Sequence, residues 1–226
     1  MEDINQQKIK IMKQTLLIVL LSAISLAGCS QNSGQKTQSS QQVGGSCEGC
    51  KAIYESTVAF EKLSHTATLP DFNDKGPKIE ISGIVYKRDG KTPAKDVIIY
   101  VYHTDQTGHY PTKGNETGWA KRHGYIRGWL KTNEKGEYAF YTLKPAAYPG
   151  RSFAAHIHIT VKEPGKNEYF IDDYLFDDDP LLSLEEKNKQ NSPGGKGIIQ
   201  LKNENGIWKA RRNIILGLNV QNYPAK

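Results

Sequence analysis

Short apolar runs separated by turn-forming residues fill the sequence from residue 78 onward, and this pattern constrains the fold more than any other feature. The predicted strands span residues 79–86, 97–102, 125–131, 137–143, 156–161, 169–175, 197–201 and 207–216. An Asp89-Gly90 turn separates the first two. The one helical candidate among them is 183–191, where Ser183 and Glu186 form a capping-box pattern. Closely spaced strands with so little helix predict an all-β domain, a β-sandwich spanning residues 78–226.

The size and charge of the chain limit the functions open to it. Its 226 residues leave room for one domain of ordinary size once a leader is subtracted. The 30 Lys and Arg residues against 24 Asp and Glu give a net charge of +6, which is dispersed along the sequence. Because the charge forms no basic stripe, it indicates a solvated surface, and no nucleic-acid partner is predicted.

Residues 1–28 have the features of a lipoprotein signal peptide. Three lysines precede an apolar run at 16–21, which is too short to span a bilayer comfortably. The segment ends in Leu26-Ala27-Gly28-Cys29, which matches a bacterial lipobox, whose cysteine is acylated. An ordinary cleaved leader with a chance cysteine is the alternative. We therefore expect an exported protein held to the cell envelope by a lipid on Cys29. Because Ser30 and not aspartate follows, the outer membrane is the expected location in a Gram-negative cell.

The two cysteines that remain lie close together at the start of the folded region. Residues 29–46 are rich in Gln, Ser, Asn and Gly, which predicts a flexible tether. After the tether, Cys47 and Cys50 form a pair in an oxidising compartment, which predicts a disulfide. The spacing also fits a redox motif or half of a zinc site, but neither a thioredoxin-like pattern nor a second Cys or His pair accompanies it. A structural disulfide is therefore favoured. It stands at the start of residues 47–77, which are expected to wrap around the domain as an N-terminal segment.

Two histidines on one predicted strand are the most informative residues for function. In Ala155-His156-Ile157-His158-Ile159, strand alternation places both imidazoles on one face and both isoleucines on the other. If the isoleucines face the sandwich core, the histidines face the side that loops cover. The pair is a candidate metal site, although two histidines do not by themselves choose the metal.

The segments around these histidines resemble a known family. Residues 136–151 read GEYAFYTLKPAAYPGR, and His156-Ile157-His158 follows. Upstream lie Thr107-Gly108-His109-Tyr110 and the run YIRGW at 125–129. In this order, with a tyrosine, then Tyr-Pro, then His-x-His, the chain resembles the intradiol ring-cleavage dioxygenases, such as protocatechuate and catechol dioxygenases. The resemblance covers the chain from Ile79 to the C-terminus.

The resemblance implies a ligand set and a reaction. Tyr110 and His156 would be equatorial ligands of a non-haem ferric ion, and Tyr148 and His158 axial ones. Phenolate oxygens are hard and anionic, so they stabilise Fe(III) over Fe(II). A catechol would bind as the dianion, with Tyr148 leaving the metal and taking one proton. With O2, the ring would open between the two oxygenated carbons to a cis,cis-muconate-type dicarboxylate, a reaction of aromatic catabolism.

One family residue has no direct counterpart. The well-known members carry an arginine three residues before the first histidine, where this chain has Phe153. Arg151 is the nearby candidate for the missing positive charge, and a surface ion pair is the alternative interpretation. With Phe153 in that place, a catechol that lacks a carboxylate is expected to be favoured over protocatechuate.

The remaining conspicuous residues are interpreted as structural. Packing roles are predicted for Tyr100, Tyr102, Tyr138 and Tyr141. Structural or surface positions are predicted for His65, His103, His109 and His123, the last two with a possible place at a pocket mouth. The acidic runs Asp172-Asp173 and Asp177-Asp178-Asp179 are predicted to form a solvated loop.

A non-catalytic function is the second hypothesis. The opening strands, with Gly90-Lys91-Thr92-Pro93-Ala94 between them, also resemble transthyretin-like or carboxypeptidase-regulatory β-sandwich modules, which bind carbohydrate or protein. The binding function of such a module does not require a cluster of two tyrosines and two histidines. Bound ferric iron with a visible tyrosinate charge-transfer band would separate the two hypotheses.

Overall fold

The computed structural model describes residues 42–225, and within them strands predominate. The strands, in chain order, are β1 (Thr66–Thr68), β2 (Lys78–Tyr86), β3 (Ile98–His103), β4 (Arg127–Lys131), β5 (Glu137–Leu143), β6 (His156–Lys162), β7 (Glu168–Phe170), β8 (Tyr174–Phe176), β9 (Ile198–Ile199), β10 (Lys202–Glu204), β11 (Ile207–Arg211) and β12 (Ile214–Ile215). The helices are α1 (Ala120–His123) and α2 (Leu184–Asn188), with 3-10 turns at Cys50–Glu55 and Phe60–Lys62. The all-β prediction is confirmed.

The strands form two sheets that share one apolar core. The first sheet has the order β1-β5-β2-β11-β10, and β12 also pairs with β2. The second has the order β4-β3-β6-β8-β9, and β7 pairs with β6. Alternate residues of β2, such as Ile79 and Ile81, are fully buried and belong to the same core as Ile99, Ile157 and Val161 of the second sheet. Burial of these side chains is the main stabilising term for the fold.

The N-terminal segment covers the outer face of the second sheet. Ala52 and Ile53 are fully buried against Tyr100 of β3, in an apolar cluster separate from the main core. The indole Nε1 of Trp129 in β4 donates to the carbonyl of Ile53 at 2.9 Å. The structure joins Cys47 and Cys50 in a disulfide, with their Cα atoms 5.7 Å apart. The part of the segment around Ala52 and Ile53 therefore packs over the face that also carries the histidines of β6.

The predicted tether needs a correction at its C-terminal end. Val43, inside the predicted 29–46 segment, is only 6% exposed and belongs to the main core. Its amide donates to Asn167 Oδ1 at 3.0 Å, and the amide of Gly44 donates to the Gln221 carbonyl at 2.8 Å. The folded region therefore begins before Cys47, because an apolar residue and paired backbone groups are docked there. The predicted signal peptide, Cys29 and the rest of the tether lie outside the described residues.

Several predicted elements are shorter or divided in the structure. The strand predicted at 169–175 becomes β7 and β8, and the one at 207–216 becomes β11 and β12. The wrap contributes β1, which pairs in parallel with β5 and was not predicted as a strand. Helix α2 has the predicted capping box, in which the Glu186 amide donates to Ser183 Oγ at 3.1 Å. Across 42–225, no helix combines the length and apolar character needed to cross a bilayer.

Candidate functional site

Strand β6 presents His156 and His158 on the face opposite to the core. Ile157 and Ile159 between and after them are buried in the main core, as strand alternation predicts. The two Nε2 atoms lie 3.2 Å apart. Nδ1 of His156 lies 2.7 Å from the Ala154 carbonyl oxygen, which can only accept, so this nitrogen carries the proton. Nε2 of His156 therefore keeps its lone pair for a ligand.

An aspartate fixes the second histidine in the same way. Asp173 Oδ2, just before β8, lies 3.0 Å from His158 Nδ1. Burial opposes ionisation of Asp173, but the hydrogen bond from His158 and the charges of His158 and His156 together outweigh it, so the pKa of Asp173 lies below its usual value. The carboxylate therefore holds the proton on Nδ1 and turns Nε2 of His158 toward Nε2 of His156.

Two loop tyrosines complete the cluster. The hydroxyl of Tyr110 is hydrogen-bonded to that of Tyr148 and lies 2.9 Å from His158 Nε2. The Tyr148 hydroxyl lies 3.4 Å from the same nitrogen. The structure thus brings together four donor atoms, two imidazole nitrogens and two phenol oxygens, from the four residues that the sequence analysis selected. We refer to these four residues as the donor cluster.

Close packing of two loops positions the tyrosines. Gly108, two residues before Tyr110, has φ +79, and a Cβ built there would lie 2.1 Å from the Ala147 carbonyl oxygen. Only glycine permits both this backbone conformation and this close approach. The loops also share a hydrogen bond from the Ala146 amide to the Asp105 carbonyl at 3.1 Å. The contact therefore places Tyr110 and Tyr148 beside each other.

The electrostatics of the donor cluster favour a bound cation. Burial raises the pKa of both Tyr110 and Tyr148, and the hydrogen bond to Tyr148 raises that of Tyr110 further. Burial and the neighbouring His158 lower the pKa of His156. These shifts favour the neutral phenols and the neutral His156 imidazole, because charging any of them loses hydration. A cation of high charge would offset this cost and stabilise two phenolates.

The donor set can be tested against a different arrangement of ligands. His156, His158 and Asp173 also lie close enough together to suggest two histidines and one carboxylate, a set typical of ferrous sites. However, Asp173 is bonded to Nδ1 of His158, on the side of the ring away from the two Nε2 atoms. Asp173 is therefore placed to orient a ligand, and the two phenol oxygens are the partners of Nε2. This combination fits ferric iron.

An aromatic cavity of about 250 Å³ adjoins the donor cluster. Its wall is formed by Glu48, Tyr102, Tyr110, Trp119, Arg122, His123, Tyr148 and His158. The ring of Tyr102 is stacked between those of His123 and His158, with centroid separations of 3.8 and 4.5 Å. Burial lowers the pKa of His123 to about 4, with a further contribution from His158, so the His123 ring is uncharged at neutral pH.

The structure does not place Arg151 in this cavity. Its side chain is exposed, and it has no hydrogen-bond or ion-pair partner among residues 42–225. Phe153 is 57% exposed. Arg122, on the short helix α1, is instead the arginine in the cavity wall. Sequence reasoning missed it because a charged residue on a short unpredicted helix carries no signal of its own. His123 lines the wall as the sequence analysis allowed, whereas His109 does not.

The acidic runs are not simply a solvated loop. Asp173 orients His158, and Asp179 Oδ2 accepts from the Ala155 amide at 2.9 Å, directly before β6 begins. Asp172 accepts from the Gly197 amide and pairs with Lys189. These carboxylates fix the backbone and one ring of the site. The prediction failed because their partners are distant in sequence.

A larger cavity in the described part of the chain lacks this chemistry. It has a volume of about 610 Å³ and lies at Lys87, Arg88, Lys166 and Tyr223. None of the residues that line it belongs to the donor cluster or to the cluster at His156, His158 and Asp173. The smaller aromatic cavity is therefore the candidate functional site, because it adjoins the donor cluster.

Solved structures with the same fold are dioxygenases. The chain is 18% identical to a catechol 1,2-dioxygenase from Acinetobacter sp. ADP1, with a TM-score of 0.53, over 72% of this chain and 61% of that one. It is 19% identical to the dioxygenase domain of a dioxygenase carbohydrate-binding protein fusion from Streptomyces sp. SirexAA-E, with a TM-score of 0.50, over 67% of this chain and 88% of that one. At these identities the likeness establishes the fold alone.

A family model gives the stronger result. The model described as "Dioxygenase" matches residues 54–194, which is more than half of the chain. The match contains the four residues of the donor cluster, together with Asp173. The chain therefore belongs to the intradiol ring-cleavage dioxygenase family.

Proposed function

We propose that the protein is a non-haem Fe(III) intradiol dioxygenase that opens a catechol ring with O2 to a cis,cis-muconate-type dicarboxylate. The observation that carries the proposal is the convergence of two phenol oxygens and two imidazole nitrogens beside an aromatic cavity. Tyr110, Tyr148, His156 and His158 would hold the iron. When bound, ferric iron supplies the Lewis acidity that lets a catechol bind through both oxygens as its dianion.

The residues of the donor cluster have different tasks in this proposal. The hydroxyl of Tyr148 is hydrogen-bonded to that of Tyr110 and lines the cavity, so its phenol oxygen is placed to take a proton from an arriving catechol hydroxyl. Asp173 holds the ring of His158, and the Ala154 carbonyl holds the ring of His156. The Nε2 atoms of both rings therefore stay in place while the Tyr148 oxygen takes up the proton. The stacked rings of Tyr102 and His123 limit water beside the substrate ring.

The position of cleavage follows from the donor types. Two phenolates make iron a poor reductant, so the bound catecholate itself is the electron source for O2. Both atoms of O2 enter the product, and the bond between the two oxygen-bearing carbons breaks. The expected product is a colourless muconate, not the yellow semialdehyde of extradiol cleavage.

The test combines spectroscopy with product analysis. The iron-loaded chain should show a visible tyrosinate-to-iron charge-transfer band and should convert a catechol under 18O-labelled dioxygen to a doubly labelled muconate. Semialdehyde as the main product would refute the proposed mechanism. A colourless protein that takes up no iron and binds a glycan would favour the transthyretin-like module instead.

We also propose that the protein acts outside the cytoplasm, attached to the cell envelope. The support is the lipobox at Leu26-Ala27-Gly28-Cys29 and the disulfide between Cys47 and Cys50, a bond typical of exported proteins. The substrate must then reach the protein from the periplasm or the exterior.

A further inference from the structure

One cation lies in the wall of the aromatic cavity. Arg122 is the one Lys or Arg side chain that lines it, within the part of the chain that the structure describes. Its guanidinium carbon lies 5.6 Å from the centroid of the Trp119 ring, which is also part of the wall. The cavity therefore has an aromatic wall with a single Lys or Arg side chain, whereas Tyr110, Tyr148 and His158 provide the candidate metal donors.

The positive charge of Arg122 already has a carboxylate partner. The guanidinium of Arg122 forms an ion pair with Glu48. The two side chains are 62% and 74% exposed, and ion pairs between such exposed groups contribute little free energy. A second carboxylate that also gains contacts with the aromatic wall can therefore replace Glu48 at low cost.

The disulfide loop of residues 47–50, which we call the N-terminal clasp, holds Glu48 in this position. Glu48 lies between the two cysteines of the disulfide. The next residue, Gly49, has φ +88, and a Cβ built there would lie 2.9 Å from His123 Nε2. The clasp therefore packs closely against the cavity wall. Its backbone places Glu48 beside Arg122.

We propose that Arg122 is a specificity-determining residue that selects catechols with a negatively charged ring substituent, and that Glu48 is the counter-ion which the substituent replaces. The inference rests on the proposed function of the site. A ring whose hydroxyls lie at the donor cluster presents its other substituents to the rest of the wall, where Arg122 is the charged donor. Arginine suits a carboxylate because its planar fork can donate two parallel hydrogen bonds. The expectation from Phe153, that an uncharged catechol is preferred, is thereby reversed.

The first test compares kcat/KM for protocatechuate and for catechol in the iron-loaded full chain. Arg122→Gln should lower the ratio of the two values by about tenfold, the effect of losing a charged hydrogen bond. Glu48→Gln should raise the ratio by about twofold to threefold, because it removes the competitor. Lys121→Gln is the control, since it removes the same charge from the adjacent exposed residue outside the cavity wall. An unchanged ratio in Arg122→Gln, or an equal fall in Lys121→Gln, would overturn the inference.

A second measurement does not depend on ring cleavage. Titration calorimetry with 4-hydroxybenzoate and with phenol, each with a single hydroxyl, reports binding alone. Arg122→Gln should weaken 4-hydroxybenzoate by about tenfold and leave phenol unchanged. This result in a chain that cleaves no catechol would support the role of Arg122 while refuting the proposed reaction. Cleavage of catechol with no effect of Arg122→Gln on either ligand would support the proposed reaction and refute the role of Arg122.

Discussion

Tyr148 and His158 reach the same point in the donor cluster, but the structure supports them differently. His158 is held from behind by Asp173, whereas the Tyr148 hydroxyl is bonded only to other members of the cluster. A displaceable ligand and a fixed one are expected to respond differently to substitution, and this difference gives the sharpest test of the four-ligand proposal.

We predict that His158→Ala loses iron, whereas Tyr148→Phe retains part of it. In the proposed site, the first change would remove a nitrogen that stays on the iron, and the second would remove an oxygen that leaves it when the substrate binds. Tyr148→Phe should also cleave catechol slowly and lose part of the visible band. Iron content and the visible spectrum measure both effects. Tyr141→Phe, whose ring packs on Phe72 away from the site, is the control. Full iron loading and full activity in both site variants would refute the ligand assignment.

Asp173 provides a second test at the scale of one residue. Asp173→Asn removes the charge that holds the proton on His158 Nδ1 and keeps the size of the side chain. Loss of such an orienting partner is expected to lower iron affinity by roughly tenfold to a hundredfold. Competition with a chelator measures the affinity. Asp178→Asn, at an exposed ion pair with Lys144, should change it little, and equal effects of the two would remove Asp173 from this role.

At the scale of elements, the loops between strands position the tyrosines, and Gly108 is where these loops meet. Gly108→Ala and Gly114→Ala both place alanine at a positive φ, but only the first introduces a clash, because nothing lies within 4 Å of a Cβ at Gly114. Each should cost about 1 kcal/mol for the backbone conformation.

We predict that Gly108→Ala lowers the free energy of unfolding by about 1–3 kcal/mol more than Gly114→Ala, the usual cost of forced overpacking. Urea unfolding of the metal-free chain measures this difference. Gly108→Ala should also retain less iron, because Tyr110 and Tyr148 are separated. Equal stability and equal iron content of the two variants would show that the loop contact does not position the tyrosines.

Sequence patterns predict elements well where one periodic signal decides the outcome. The alternation around His156 and His158 places both rings correctly, and the Ser183 capping box marks a real helix start. Strand β1 was missed because Thr66–Thr68, a short run of two threonines and an alanine, gains its pairing only from β5, about seventy residues later. The role of Asp173 was missed for a similar reason, because its partner His158 lies on another strand.

At the scale of the whole molecule, the sequence predicts an anchor that the fold does not supply. Cys29→Ser should move the protein from the membrane fraction to the soluble fraction, because a lipid on this residue is the proposed attachment. Fractionation with an antibody against the domain measures the change, and Cys47→Ser serves as a control that removes a cysteine without removing the lipid. Membrane association of Cys29→Ser after leader cleavage would contradict the anchor proposal.

The clasp that carries Glu48 lies outside the region shared with the family, which begins at residue 54, yet it forms part of the wall of the aromatic cavity. The four residues of the donor cluster and Arg122 thus come from the shared region, whereas the proposed counter-ion Glu48 comes from a separate stretch of the gene. Exchanging residues 47–50 for another short disulfide loop is therefore expected to change selectivity and leave the donor cluster in place. For protein engineering, this segment is a position at which substrate choice can be varied separately from the reaction.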